Sequence, residues 1–123
     1  MTMKRIKLEL ARDAEFPNGS SERGYEFAAP LDDAGHIVHA DWKKERERCR
    51  VVRFWPGNPR AVGRLVHRGG GWAFDYDPKS TDDDEPGFKF DRHKFVPGEY
   101  VSIRERDGDL RTFRITQVRD LDD

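Results

Sequence analysis

The clearest pattern along this chain is an alternation of apolar and polar positions near its carboxyl end. Val101 and Ile103 alternate with polar residues before a turn over residues 106–109, and Phe113 and Ile115 do the same after it. A period of two places one face of a strand against a core and the other face in water. The pattern predicts a half-exposed antiparallel hairpin and argues against a helical bundle or a dinucleotide-binding fold.

The parity of this hairpin predicts the length of its turn. Directly opposed residues share a face of the sheet, so apolar residues should oppose apolar residues. A two-residue turn would pair Val101 with Arg114 and bring charge to the buried face. A three-residue turn over residues 106–108 pairs Val101 with Phe113 instead. It also puts Gly108 where a type I turn followed by a bulge needs a left-handed residue.

Short alternating runs of the same kind recur along the chain, separated by turns rich in Gly and Pro. They lie at residues 6–10, 24–31, 50–55, 62–66, 72–76 and 88–90. Together with the closing hairpin they make about seven or eight short strands. This number and spacing predict a mainly β protein, either a small antiparallel barrel or a two-layer sandwich.

A second hairpin is predicted around three consecutive glycines at residues 69–71. Its outgoing arm has aromatic rings at every second position of residues 72–76, so the rings share one face. We expect Val62, Arg64 and Val66 of the incoming arm to face these rings.

One segment, at about residues 41–49, has the composition of an α-helix. Its central residues are good helix formers, and Asp41 can cap its amino terminus. Trp42 and Cys49, one heptad apart, mark a narrow apolar stripe. Because so narrow a stripe buries little surface, we expect a short helix that lies across a sheet edge or a barrel end.

Length and composition favour a single β-rich domain over residues 1–123. Apolar residues make up only 35% of the chain, but three Trp, eight Phe and three Tyr can still build a core. Residues 77–87 are acidic and rich in turn formers, which predicts a mobile loop. Residues 120–123 are expected to form a frayed tail.

Apolar runs and cysteine content bear on the location of the protein. No apolar run approaches the roughly 20 residues that a membrane span needs. The amino terminus also lacks the apolar region of a secretory signal. Cys49 is the single cysteine, so no internal disulfide can form. We therefore expect a cytoplasmic protein without a membrane partner.

Charge is balanced overall but not along the chain. The net charge is −1, yet residues 43–68 carry nine Lys or Arg against two Asp or Glu. Residues 75–91 carry seven acidic residues against two basic ones. The overall balance gives no general attraction to nucleic acid or anionic membranes. The basic middle segment predicts a patch if the fold gathers it on one face.

Candidate catalytic and metal-binding patterns are weak. His36 and His39 are three apart, but no Cys pair or His-Glu-x-x-His spacing supports zinc. Residues 75–85 lack the glycine and ligand spacing of an EF-hand, and residues 69–71 precede a strand rather than a phosphate-binding helix. Cys49 has arginine neighbours that lower a thiol pKa, but a buried structural cysteine is the simpler interpretation. We predict no catalytic residue, no cofactor and no metal site.

The strongest functional pattern mixes arginines with aromatic residues in the basic middle segment. Small barrels that hold single-stranded nucleic acid stack bases on rings and place cations along the phosphates. The predicted partner-binding residues are Arg46, Arg50, Arg53, Trp55, Arg64, Arg68 and Trp72. They favour a non-enzymatic binding or accessory module with an anionic partner, either an acidic protein surface or nucleic acid.

Three alternatives stay open. A small-molecule-binding barrel, with or without enzymatic activity, predicts a concave pocket. Its lining would include Trp55, Trp72, Phe74 and Tyr100. A single-stranded nucleic-acid binder predicts rings and arginines on one surface, and a subunit of an assembly predicts an exposed apolar patch.

Four segments carry a resemblance to known sequences. They read GYEFAAPLD at 24–32, CRV and RFW within 49–55, WAFDYD at 72–77 and PGEYVSI at 97–103. With these segments the chain resembles, over nearly its whole length, a small family of uncharacterised conserved hypothetical proteins of α-proteobacteria. The resemblance implies a free-standing bacterial cytoplasmic protein and brings no activity, ligand or site residue with it.

Overall fold

A computed structural model describes residues 2–76, 84–105 and 107–121, and these form a closed antiparallel barrel of eight strands. The strands are β1 (Thr2–Leu10), β2 (Ser20–Leu31), β3 (Arg50–Phe54), β4 (Ala61–Arg68), β5 (Gly71–Asp75), β6 (Glu85–Phe88), β7 (Tyr100–Arg104) and β8 (Leu110–Asp120). Each strand pairs with the next, and β8 returns to pair with β1. The predicted mainly β fold is confirmed, and the architecture is the barrel rather than the sandwich.

The two ends of the barrel are covered differently. The helix α1 (His39–Glu45) and a short 3-10 turn (Arg46–Arg48) follow β2 at one end, termed the helix end. The opposite end, termed the mouth, is formed by the connections at residues 11–19, 55–60 and 105–109. The side chains that meet at each end therefore come from different connections and have different chemistry.

Aromatic rings fill the middle of the barrel. The ring centroid of Phe27 lies 5.1 Å from that of Phe74 and 5.7 Å from that of Phe95. On β1, Ile6 is the register partner of Phe27, and both are buried. An eight-strand barrel is just wide enough inside for side chains to fill it. The apolar positions of the alternating runs are therefore mainly those whose side chains point into this interior.

The closing hairpin confirms the predicted register and turn. Val101 pairs with Phe113, and the amide of Gly108 donates to the carbonyl of Glu105 at 2.8 Å. Gly108 has a φ of +91°, the left-handed conformation expected after a type I turn. Arg106, in the same turn, lies outside the described residues.

The face predicted for the incoming arm of the β4–β5 hairpin is wrong. Leu65 is the register partner of Phe74, and His67 is that of Trp72, so these alternate positions point inward. Residues 69–70 form a two-residue turn between the arms. Because a shift of one position in register exchanges the two faces of a strand, the length of this turn decides which residues are buried.

The residues predicted to face the rings, Val62, Arg64 and Val66, therefore lie on the outer wall of β4. Val62 is 56% exposed. Trp72 and Phe74 of β5 do share the inner face, as predicted. The exchange of faces puts aliphatic side chains beside an arginine on the outside of the barrel.

The single short helix in the described part of the chain confirms the prediction, with shifted bounds. It begins after Val38, which provides no side-chain cap, so Asp41 lies in the first turn and is not the N-cap. Cys49 lies beyond the 3-10 turn and is buried. The indole nitrogen of Trp42 donates to the carbonyl of Leu65 at 2.9 Å, which anchors α1 to the barrel. No helix among the described residues has the length and apolar character to cross a membrane.

Two segments that the sequence placed in irregular structure are described only in part. Of the acidic segment, residues 77–83 lie outside the described residues, whereas Glu85 begins β6 with a buried side chain. At the carboxyl end, β8 continues to Asp120, and the amide of Leu121 donates to a carbonyl of β1 at 3.0 Å. Residues 122–123 lie outside the described part.

Candidate functional site

Four of the predicted partner-binding arginines line one groove on the outer wall. Arg50 and Arg64 point outward from β3 and β4 and are register partners. Arg46 comes from the 3-10 turn, and Arg68 ends β4. This arginine groove has a volume of about 630 Å³. Its lining also includes Trp42, Glu47, Val62 and His67.

Two arginines of the groove have acidic partners. Arg68 contacts Asp75 at 2.7 Å and also pairs with Asp84. The hydrogen bond to Asp75, followed by that to Asp84, raises the pKa of Arg68. Arg64 pairs with Glu47 at 2.9 Å, but the Glu47 side chain is 79% exposed. The first pairing holds Arg68 in place, whereas the second lies open to solvent.

Arg46 and Arg50 make no ion pair with any residue that the structure describes. Arg50 faces Arg64 directly across the two strands, a position where like charges are destabilising. The guanidinium of Arg46 lies 4.9 Å from the ring centre of Trp42, a cation–π contact that holds it beside the groove. The groove therefore carries positive charge that the described part of the barrel does not neutralise.

An apolar strip lies beside the arginine groove on the same wall. It consists of Val52 and Phe54 on β3 and Val62 on β4, and the two valines are register partners. Arg50 and Arg60 join these residues in a second groove of about 780 Å³. Because Arg50 and Val62 line both grooves, the cationic and apolar side chains form one continuous surface.

The other three predicted residues do not belong to this surface. Arg53 follows Val51 by two positions, so it shares the inward face of β3 and reaches the mouth. Its guanidinium lies 4.4 Å from the ring centre of Trp55. Trp72 is buried at the helix end, with its ring centroid 5.2 Å from that of Trp42. The rings and the arginines of the basic segment are thus largely separated by the fold.

The mouth holds a buried polar network that the sequence analysis did not identify. At its centre is Glu105, whose side chain is 3% exposed. The Nε of Arg53 donates to Glu105 at 3.2 Å, and the Nε of Arg111 lies 3.1 Å from it. Burial lowers the pKa of Arg53, but its hydrogen bond to Glu105 and the charge of that carboxylate outweigh this effect and raise it. Arg53 and Glu105 are therefore held as an ion pair.

Glu85 joins this network from β6. The hydroxyl of Tyr76 donates to Glu85 at 2.6 Å, and the hydroxyl of Tyr25 lies 3.1 Å from Glu85 and 2.5 Å from Glu105. Burial raises the pKa of Glu85 and, with the charges of the two glutamates, that of Tyr25. Tyr25 therefore stays protonated and can donate to either carboxylate.

A cleft of about 430 Å³ opens outside this network. Its lining includes Arg53, Asn58, Arg60, Glu85, Glu105 and Asp107. Both glutamates accept hydrogen bonds from hydroxyl or guanidinium groups of the barrel itself. Because these donors already hold the carboxylates, the arrangement is suited to closing the mouth rather than to proton transfer.

The residues predicted to line a small-molecule pocket lie in four different places. Trp55 is at the mouth, Phe74 is in the middle of the barrel, and Trp72 is at the helix end. Tyr100 lies on the outer wall and is 53% exposed. The four side chains therefore do not form one concave surface.

Two histidines and two tryptophans pack together where α1 meets the barrel. The ring centroids of His39 and His67 are 4.5 Å apart. His39 lies 5.5 Å from Trp42, and His67 lies 4.7 Å from Trp72. Loss of hydration against these rings lowers the pKa of His39, and the nearby charges of His67 and Lys43 act in the same direction. The cluster therefore disfavours a protonated His39.

We expect the midpoint of thermal unfolding to fall between about pH 7.5 and 5.5, and to fall less in His39→Gln. The pKa of this imidazole is near 6.5 in the unfolded chain and lower in the folded protein. Stability is therefore lost as the pH falls below the unfolded value. Thermal melts followed by circular dichroism measure the effect. An unchanged slope in His39→Gln would contradict the prediction.

The described part of the chain has no group of three His, Cys, Asp or Glu side chains that could hold a metal ion. His36, which the spacing paired with His39, lies 3.9 Å from Asp32 instead. Cys49 is buried, and burial raises the pKa of its thiol to about 11. The lowering that its arginine neighbours would cause is outweighed, so the thiol is largely protonated at neutral pH.

Comparisons with known proteins give no functional assignment. The resemblance noted from the sequence therefore stays a prediction. No family model, curated protein or solved structure was found to match this chain.

Proposed function

We propose that this chain is a non-enzymatic, cytoplasmic binding or accessory module that holds an anionic partner against the outer wall of β3 and β4. The observation that carries the proposal is the direct cross-strand opposition of Arg50 and Arg64. Like charges in this arrangement destabilise a sheet unless an anion lies close to both. A carboxylate or phosphate of a partner would relieve that repulsion.

The local ion pair leaves room for such a partner. Glu47 contacts Arg64 from an exposed position, and exposed ion pairs contribute only about 0–1 kcal/mol. A partner's anion can therefore displace Glu47 and bridge Arg64 and Arg50, because guanidinium groups bind carboxylates and phosphates with two parallel hydrogen bonds. Arg46, held over the ring of Trp42, adds a third cation to the same groove.

The contacts made within the mouth favour the outer wall as the binding surface. Glu85 and Glu105 are enclosed by donors that belong to the barrel, which favours a stabilising role for the network. The cleft outside the network is also lined by both acidic and basic side chains, so it gives no clear preference for an anion. The arginine groove has that preference, because Arg46 and Arg50 lack acidic partners among the described residues.

Arg50→Glu is expected to weaken binding of a polyanion at least tenfold. A hydrogen bond to a charged group contributes about 1.5–3 kcal/mol, and about 1.4 kcal/mol corresponds to tenfold. The new carboxylate would face Arg64, so the sheet should not be destabilised. Fluorescence anisotropy with labelled poly-L-glutamate and with oligothymidylate, each at low salt, measures the change.

Arg114→Glu is the matched control for this experiment. Arg114 is exposed on β8, and its replacement changes the net charge by the same amount. Wild-type binding should also weaken as salt is added, because surface charge contacts are screened. Equal losses in the two variants, or binding that is insensitive to ionic strength, would contradict the proposal.

A further inference from the structure

We infer that the partner on this wall is an extended acidic segment of another protein, with apolar side chains between its acidic residues. The inference rests on the proposed function, because it names the partner of the same surface. It chooses between the acidic protein and the nucleic acid that the sequence left open. The choice depends on which side chains the wall exposes beside its arginines.

The rings that a nucleic-acid strand would need are mostly absent from the arginine groove. Single-stranded nucleic acid gains affinity by stacking bases on exposed rings beside cations. Trp72 is buried at the helix end, and Trp55 is covered by Arg53 at the mouth. Trp42 lines the groove but is buried, with Arg46 over its ring. These rings are therefore already in contact with the protein.

Beside its arginines the wall exposes an apolar strip, and its two glutamates are paired with arginines. Val62 is 56% exposed and opposes Val52 across the strands. Phe54 continues the strip, partly buried, with the Nζ of Lys7 lying 5.8 Å from its ring centre. A phosphodiester backbone gains nothing from such a strip. An aliphatic side chain of a peptide that covers the strip removes apolar surface of both partners from water, which is favourable. The combined surface is complementary to a chain that is both acidic and apolar.

The order of side chains along β3 predicts the pattern of the partner. Arg50, Val52 and Phe54 point outward at every second position, and such positions are about 6.6 Å apart in a strand. An extended peptide that lies along β3 has its own same-side residues at this spacing. An acidic residue opposite Arg50 would therefore be followed, two positions along, by an apolar residue opposite Val52.

The closure of the barrel predicts the strength of this interaction. Every strand is paired on both sides, so the partner cannot add a strand to a free edge. It must bind through side chains alone, on a surface that is open to solvent. We therefore expect a weak, rapidly reversible interaction that depends on salt.

Three labelled probes of equal net charge test the inference by anisotropy titration at low salt. The first is a short peptide that repeats Glu-Ser-Val-Ser, which puts Glu and Val alternately on one side of an extended chain. The second has the same composition with its glutamates and valines in separate blocks, and the third is oligothymidylate. The first probe is expected to bind wild-type protein at least fivefold more tightly than the other two.

Two variants assign the difference to the apolar strip. Val62→Ser should weaken binding of the alternating peptide about fivefold and leave binding of oligothymidylate unchanged. Leu110→Ser, which alters an exposed apolar residue on β8, should change neither. Equal or tighter binding of the block peptide or oligothymidylate would overturn the partner assignment, while the proposed function stands if Arg50→Glu still weakens the probes. If Arg50→Glu weakens none of them, both fail.

Discussion

Replacing Glu105 by Gln is expected to lower the free energy of unfolding by about 3–5 kcal/mol, the usual loss when one partner of a buried ion pair is removed. Glu105 is 3% exposed and accepts a hydrogen bond from Arg53. The amide keeps the volume of the side chain but not its charge. Arg53 then stays in the mouth, 12% exposed, with the more distant carboxylate of Glu85, 3.9 Å from its Nε, as its remaining acidic partner.

Urea denaturation measures this loss. Glu99→Gln is the matched control, because Glu99 is exposed and its variant should stay within about 0.5 kcal/mol of wild type. Adding Arg53→Met to Glu105→Gln should cost less than the sum of the two single changes, since both single changes break the same ion pair. A loss below about 1 kcal/mol for Glu105→Gln would show that the mouth is not held by this network.

The positions of this network follow from the same alternation that predicted the strands. Arg53 lies two positions after Val51, and Glu105 lies two positions after Ile103. Each continues the inward face of its strand by one step towards the mouth. The same holds for Tyr25, Tyr76 and Arg111. The rings predicted to share a face at residues 72–76 already include Tyr76, whereas the charged members Arg53, Glu105 and Arg111 lie beyond the apolar residues on which the prediction rested.

That these polar ends meet could not be predicted from the sequence. They come from several strands, and only closure of the barrel brings those strands around a single mouth. Closure depends on the pairing of β8 with β1, which joins residues such as Ile6 and Val118 from opposite ends of the chain. Local alternation carries no information on such a pairing, and it therefore left the barrel and the sandwich as alternatives.

Turn length explains why one hairpin was predicted correctly and the other was not. In the closing hairpin parity requires an odd turn, and the need for Gly108 in its last position selects the one that opposes Val101 to Phe113. In β4, Val62 and Val66 lie on one face of the strand and Leu65 lies on the other, so the sequence has apolar residues on both faces. Three consecutive glycines can provide a turn of two residues or three, so parity did not fix the register, and the face predicted for β4 was the wrong one.

The face of the strand on which each residue lies also determines where the predicted contact residues are found. Arg50 and Arg64 share the wall because both have outward parity on adjacent strands. Arg53 and Trp72 point inward, so Arg53 lies at the mouth and Trp72 at the helix end. A mixture of rings and arginines in a β sequence therefore indicates a nucleic-acid surface only when both kinds of residue have the same parity.

Gly63→Ala is expected to destabilise the protein by about 3 kcal/mol, the upper end of the usual cost of overpacking. A Cβ at Gly63 would lie 2.3 Å from the carbonyl oxygen of Asp75 and 2.9 Å from the ring of Tyr76. The first of these atoms belongs to the backbone of β5, so the clash can be relieved only by moving that strand. An isolated glycine inside an alternating run is a sequence pattern typical of such close approach.

Gly71→Ala, in the same hairpin, is the matched control. A Cβ there would meet nothing closer than 3.9 Å, so its unfolding midpoint should stay near that of wild type. Since Asp75 holds Arg68 in the groove and Tyr76 binds Glu85 at the mouth, moving β5 should disturb both. Gly63→Ala should therefore also weaken polyanion binding at temperatures where it is still folded. Wild-type stability and binding in this variant would mean that β4 and β5 do not approach as described.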